Sequence, residues 1–382
     1  MCRLMESLGE LAKLQGPPGF EDPVREFLRK AIEELPGTEF AIDGIGNLLV
    51  RIRGRSPSAR KVLIDAHMDE PCFMVKYVDD NGFLYFVQLG YISEAVIVGQ
   101  PVIIHGRKGP IAGVFGVQSF HLSSPQQLRD GLVSDDMWID VGAESRASVY
   151  AMGIRSGSPV TFASVVQPMG DGCMMGRAMD NRTGCAIGLE LARALSGNPI
   201  DGDVFFSFSV QEELILRGSA PVIRGLERYF GATPDVAIAL DISTAGDFPG
   251  VPQRKSPIAL RKGPGVKVYD RSVKSHYSHV VPLSLVEEIE RIASERGVPI
   301  QYDFLPGSTN ADIFALEGSG ILTGGISVPC RYTHSPVETV FLGDMQKALA
   351  LVLAICEEAG GIFARASPER QPTKMGGYPK ND

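Results

Sequence analysis

The sequence predicts an α/β fold: a mostly parallel sheet flanked by helices, with a β-rich domain inserted into it. Three observations carry that expectation. Wholly apolar runs such as Val62-Leu63-Ile64 lead directly into acids and histidines, the mark of strands buried on both faces. Helical and strand periodicities alternate from Asn181 onward, as in a parallel sheet. Between Pro71 and Val166 the texture changes to short β-branched or alternating runs punctuated by glycine.

In chain order, helical periodicity covers Ser7 to Leu14 and Pro23 to Leu35, parted by the turn Gly16-Pro17-Pro18-Gly19. Strands are expected at Leu48 to Ile52 and from Val62 to Ile64. The inserted segment reads as strands Phe73 to Val78, Phe83 to Val87, Val102 to His105 and Ile111 to Val117, with a turn at Asp79 to Gly82 and a polar loop from His121 to Asp130. A helix from Asn181 to Leu195 follows, then strands Val204 to Val210 and Val236 to Leu240, a helix Leu283 to Arg296, a strand Ile321 to Val328 and a helix Leu342 to Gly360. Gly263-Pro264-Gly265 reads as a turn before a helix, without a phosphate-loop pattern. Residues 1–70 and 167–366 form one domain, 71–166 the insertion, and 367–382 a polar tail expected to be disordered.

At 382 residues and 44% hydrophobic composition the chain can bury two cores. A net charge of −8 without any run of Lys or Arg gives no footprint for nucleic acid or an anionic membrane surface. No apolar stretch approaches the roughly 20 residues that span a bilayer. The acidic, amphipathic start does not resemble a secretory signal, so a cytoplasmic location is expected. The six cysteines are far apart and form no C-x-x-C pair, against a thiolate zinc site or a disulfide framework.

The chemistry gathers at strand ends. Val62 to Ile64 leads to His67 and Asp69, Val204 to Val210 to Glu212 and Glu213, Val236 to Leu240 to Asp241, and Ile321 to Val328 to His334. In open α/β sheets ligands bind at that edge. Taken singly, Asp180 can be an N-cap and His334 an ordinary histidine. Together, buried carboxylates would repel one another unless a cation compensated them. Imidazoles mixed with carboxylates suit zinc, cobalt or manganese better than calcium, and a shared carboxylate would hold two divalent ions about 3.5 to 4 Å apart. On an extended backbone successive side chains point apart, so Glu213 can bind metal while Glu212 faces the substrate.

The ordered series Gly19-Phe20-Glu21-Asp22, Asp65-Ala66-His67-Met68-Asp69-Glu70, Gly176-Arg177-Ala178-Met179-Asp180-Asn181-Arg182, Val210-Gln211-Glu212-Glu213, Ala239-Leu240-Asp241 and Pro329-Cys330-Arg331-Tyr332-Thr333-His334-Ser335-Pro336 resembles the dinuclear-metal aminopeptidases of the tetrahedral or glutamyl aminopeptidase kind. That family also contains proteins labelled deblocking aminopeptidase or endoglucanase. The resemblance implies a zinc-peptidase-like catalytic domain with a barrel-like insertion serving dimerisation, and homo-oligomers from dimer to dodecamer. It implies two metal ions per subunit, zinc first, with cobalt or manganese as alternatives. His67 and Asp241 would complete one site, Glu213 and His334 the other; Asp180 would bridge, and Asp69 would orient His67. It further implies a cis peptide after Asp180. Peptide substrates would lose their N-terminal residue to a water activated between the ions, with Glu212 as general base.

The sequence departs from the family pattern in three places: Pro71-Cys72 replaces a small aliphatic residue and glycine, Ile215 replaces glycine, and Asn310 replaces aspartate. Two other readings stay open on the residues alone. One is a related amidohydrolase, a deacylase or carboxypeptidase; the other is a binding or assembly protein that keeps the fold and metals.

Overall fold

The computed structural model describes residues 3–56, 59–122, 136–271, 278–304 and 307–366. The expected loop residues 123–130 and the tail 367–382 lie outside the described residues. Leucines three and four apart, Leu4, Leu8 and Leu11, bury one face of helix Arg3–Lys13, and Val24, Leu28 and Ile32 do the same for helix Asp22–Glu33. Pro23, which lacks the N–H that a first turn cannot use, starts the second helix.

The large sheet runs in the order Thr38–Ile42, Leu48–Ile52, Val204–Ser209, Val62–His67, Val236–Thr244, Leu322–Arg331, Glu338–Phe341, Cys173–Gly176, Gln167–Met169. Its four central strands, Val204–Ser209 to Leu322–Arg331, are parallel, and the flanking pairs in that order are antiparallel. Those four are the strands whose apolar runs end in acids and histidines. Side chains alternate between faces. Val62, Ile64, Phe206, Phe208 and Ile238 join a core with the leading helices and with helices Met179–Gly197, Leu283–Glu295 and Leu342–Ala366. Leu49, Leu63, Phe205 and Ala237 face helix Ser219–Phe230 and Phe314 on the other side.

The inserted segment closes into a barrel in the order Cys72–Val78, Leu84–Leu89, Ile139–Asp140, Gly109–Phe115, Pro101–Gly106, Pro159–Phe162. Four phenylalanines fill it, with Phe73 edge-on to Phe86, Phe115 and Phe162 at centroid distances of 5.2, 4.7 and 5.3 Å. Among the described residues no helix is long and apolar enough to cross a membrane.

Two local expectations change. Gly263-Pro264-Gly265 leads into strand Gly265–Lys267, which pairs with Leu322–Arg331, because Gly265 lets the strand approach Ser327 closely. Helix Ser219–Phe230 has no counterpart in the sequence reading. Its pattern is masked by Pro221 in the first turn and by Gly225, where a Cβ would sit 2.5 Å from Leu49.

A buried ion cluster joins the opening turn to two of the motifs. Glu70 accepts from the Gly16 N–H at 2.9 Å, from Arg182 at 3.2 Å and from Arg177. Arg182, fully buried, also donates to the Met68 carbonyl. Gly16 is required there: a Cβ would meet the Arg182 guanidinium at 2.6 Å. Glu70→Ala would leave two buried guanidiniums without their carboxylate, at a cost of about 3–5 kcal/mol. Equilibrium urea unfolding measures it, and a loss below about 1 kcal/mol would show that the carbonyls alone compensate the charges.

Candidate metal and catalytic site

Strand register explains why residues distant in sequence meet. Ser209 lies opposite His67, and Ala239 lies opposite Asp65, which carries His67 and Asp241, each two residues further on, to the same height. The fourth strand sets Ser327 beside Asp241 and continues to Arg331, three residues before His334. Asp180 enters from the side. It lies at the start of helix Met179–Gly197 but with non-helical φ and ψ of −81° and 104°, after a left-handed Ala178. The Asp180–Asn181 peptide is cis, as the resemblance implies.

Asp180 is therefore no N-cap. One carboxylate oxygen lies 3.1 Å from His67 Nε2 and the other 3.3 Å from His334 Nε2. Around the first imidazole stand Asp241 at 3.7 Å and Glu212 at 4.0 Å; beside the second stands Glu213 at 3.7 Å. One ligand atom from each of His67, Asp180 and Glu213 can lie within 4.8 Å of the others. All the sequence-predicted site residues thus come together, in two sets that share Asp180.

The expectation of an extended backbone at the glutamate pair is corrected. The strand stops at Ser209, and residues 212–218 turn. Asp69 is the reason: its two oxygens accept the successive N–H groups of Glu212 at 2.9 Å and Glu213 at 3.0 Å. In a strand successive N–H groups point opposite ways, so one carboxylate can bind both only in a turn. The two side chains still diverge, Glu212 toward His67 and Glu213 toward His334. Asp69 Oδ1 is also 3.4 Å from His67 Nδ1, but without hydrogen-bond geometry, which leaves that nitrogen a buried donor or acceptor with no partner. Asp69 holds the glutamate turn more firmly than it holds the imidazole.

Several supporting residues escaped the sequence reading. Glu338 accepts the His334 N–H at 2.6 Å and the Asp180 N–H at 3.1 Å, fixing one member of each set. Its only signal is an acid four residues after a candidate histidine. Asn181 donates to the Leu240 carbonyl at 2.8 Å and accepts from the Gly184 N–H, tying the helix start to the strand that carries Asp241. His334 Nδ1 lies 2.5 Å from the Tyr91 carbonyl, a residue that follows the barrel strand Leu84–Leu89. Asn310, one of the departures, donates to Asp65 at 2.7 Å and to Ser209 at 2.8 Å. An aspartate there would face another carboxylate.

Burial and the cluster's own charges act on these groups in opposite directions. Burial, followed by Glu213 and Asp241 acting against His67, holds Glu212 well above the carboxylate range. Burial likewise pushes Glu213 and Glu338 up to about 8 and raises Asp241. Burial works against charged imidazoles, yet Glu212 and Asp180 hold His67 far above its ordinary value, and Glu213 and Asp180 do the same for His334. Asp180 alone is lowered: its two histidines outweigh its burial. The donors, imidazole nitrogens with carboxylate oxygens around one shared carboxylate, fit a pair of divalent ions.

Those shifts fix a pH dependence. Glu213 and Glu338, near 8 in the fold against an ordinary 4.5, keep protons that the unfolded chain has released. Groups raised in this way contribute stability at low pH that is lost as pH rises. Asp180, lowered, is ionised in both states across that window and adds no slope. In the presence of a chelator, stability should therefore fall between about pH 5 and pH 8, and a saturating divalent ion should flatten the fall. Urea unfolding at four pH values, with chelator and with ion, measures both; coincident profiles would exclude a cation from the cluster.

Residues 46–351 match the family described as M42 glutamyl aminopeptidase. The lysyl aminopeptidase of Pyrococcus furiosus is 29% identical over 89% of this chain and 91% of its own. Among solved structures, an aminopeptidase from the archaeon Desulfurococcus kamchatkensis superposes with a TM-score of 0.87 at 31% identity, over 96% of this chain and 98% of that one. The Pyrococcus horikoshii TET1 peptidase, described as able to assemble into a tetrahedron or a large octahedral shell, gives a TM-score of 0.80 at 28% identity, over 93% and 99%. A match across so much of the chain settles its kinship: the protein is a peptide hydrolase and belongs to the M42 glutamyl aminopeptidase family.

Proposed function

We propose that the protein is a metal-dependent aminopeptidase that removes N-terminal residues from peptides, with Glu212 as general base. The observation that carries this reading is the placement of Asp180, whose two oxygens each face one imidazole and so divide the donors into two sets. His67 and Asp241 would hold one ion, His334 and Glu213 the other, and Asp180 both. When bound, zinc, or cobalt or manganese in its place, would supply Lewis-acid polarisation of the scissile carbonyl and a lower pKa for water.

The chain's own residues do the rest. Glu212 is fixed at its backbone by Asp69 while its carboxylate stands on the His67 side of the cluster, suited to take a proton from water and pass it to the leaving amine. The surplus of acids favours a cationic α-amino group, which accounts for cleavage at the N-terminus. Asp69 acts through the turn that it pins, as a positioning residue.

The TET1 relative supports a homo-oligomer. Tyr77, Val87, Val114 and Tyr150, exposed apolar side chains on or beside the barrel, support the barrel as its dimerisation surface. The five described cysteines, free and buried, suit a reducing cytoplasm.

Glu212→Gln should retain the affinity for divalent ions measured by calorimetry yet lower kcat by at least about 100-fold. Near-normal turnover would remove Glu212 from the role. Peptides with a free amine should be cleaved and their N-acetylated forms spared; the reverse would indicate a deacylase.

A further inference from the structure

Among the described residues, seven other than glycine have left-handed φ, and six of them, Ala178, Gln211, Ile215, Leu216, Tyr332 and His334, lie in segments that carry the site. Such conformations cost about 1–3 kcal/mol each and persist where something over-determines them. For three of the six the compensation is visible. Ala178 precedes the shared Asp180, and His334 is held by Glu338 and Tyr91. Leu216 is buried, with its N–H donated to the Glu212 carbonyl at 2.8 Å.

Ile215 has no such return. A β-branched side chain at φ +65° is among the least favourable choices for that conformation, which suits glycine. Yet its side chain is not packed into the protein: Ile215 is 52% exposed. It sits at the tip of the turn whose two ends are tied together, Arg217 N–H to the Gln211 carbonyl and Leu216 N–H to that of Glu212. Its place beside the catalytic glutamates is therefore fixed. Tyr332 is the comparable residue on the segment of His334, whose imidazole lies 3.7 Å from Glu213. Two residues before His334, it has φ +61° and is 44% exposed, with its ring 5.6 Å from that of Phe248. The neighbouring Arg331 is spent on Asp247 at 2.6 and 2.9 Å.

We infer that Ile215 and Tyr332 form an apolar rim that receives the side chain of the substrate's N-terminal residue, so that the preferred substrates are peptides beginning with a large apolar residue. The inference rests on the aminopeptidase reading and adds a substrate class to it. The binding partner that compensates Ile215 is the substrate itself.

The test compares the wild-type protein with Ile215→Gly and Ile215→Val on Leu, Phe, Ala, Glu and Lys p-nitroanilides, with size-exclusion chromatography and thermal unfolding of each. The wild type should favour Leu and Phe. Ile215→Gly should lower the ratio of kcat/KM for Leu over Ala by about 10-fold, and Ile215→Val should hold it within about threefold. The glycine variant should unfold at the same or a higher temperature, since it relieves the backbone. A wild type that favours Glu or Lys, or a Leu-to-Ala ratio unchanged in Ile215→Gly, overturns the rim while leaving the aminopeptidase reading intact. A smaller assembly with an unchanged ratio overturns it too and makes Ile215 a subunit contact. A wild type inactive on every free-amine substrate overturns the aminopeptidase reading, and the rim with it.

Discussion

One carboxylate between two imidazoles organises this protein. Asp180 lies within 3.3 Å of both His67 and His334, although the first ends one strand of the sheet and the second follows another strand that is not its neighbour. Much of the surrounding polar structure keeps it there. The almost wholly buried helix Met179–Gly197 anchors it, Asn181 bonds that helix to the strand of Asp241, and Glu338 holds the backbone of Asp180 and of His334 at once. Further back, the Glu70 cluster bonds the segment after His67 to the helix that carries Arg182. A polar network of this density is stable only when each member has its partner, and at its centre two imidazoles stand against Asp180, Glu212, Glu213 and Asp241, an excess of acids.

That imbalance is produced by parallel strands. A parallel sheet places all its strand ends of one polarity along one edge, so each strand that ends in an acid or histidine adds to the same small volume. Four neighbouring strands do so here. Helices cover both faces of the sheet, which removes water and makes mutual repulsion among the acids costly. Fold and chemistry are thus one arrangement: the burial that makes a stable core also crowds the acids and histidines of the site together.

Much of this is legible in the sequence because it is written in strong local patterns. Runs such as Val204 to Val210 can hardly be anything but buried strands, and acids at their ends have few structural uses. The barrel is legible in Phe73 and its neighbours as a change of texture. What stays hidden acts through backbone groups or through chain reversal. Glu338 works by accepting two N–H groups, which no residue pattern announces. Asp69 bends the glutamate pair into a turn that an extended reading misses, although both readings separate the two side chains. Helix Ser219–Phe230 is concealed by the proline and glycine that let it start and pack. Asn310 makes sense only beside Asp65, 245 positions away in sequence.

The contact between His334 Nδ1 and the Tyr91 carbonyl joins the two architectural units at their most sensitive point. Tyr91 belongs to the chain leaving a barrel strand, while His334 belongs to the turn between two strands of the large sheet. The seating of the barrel therefore bears directly on the surroundings of one imidazole.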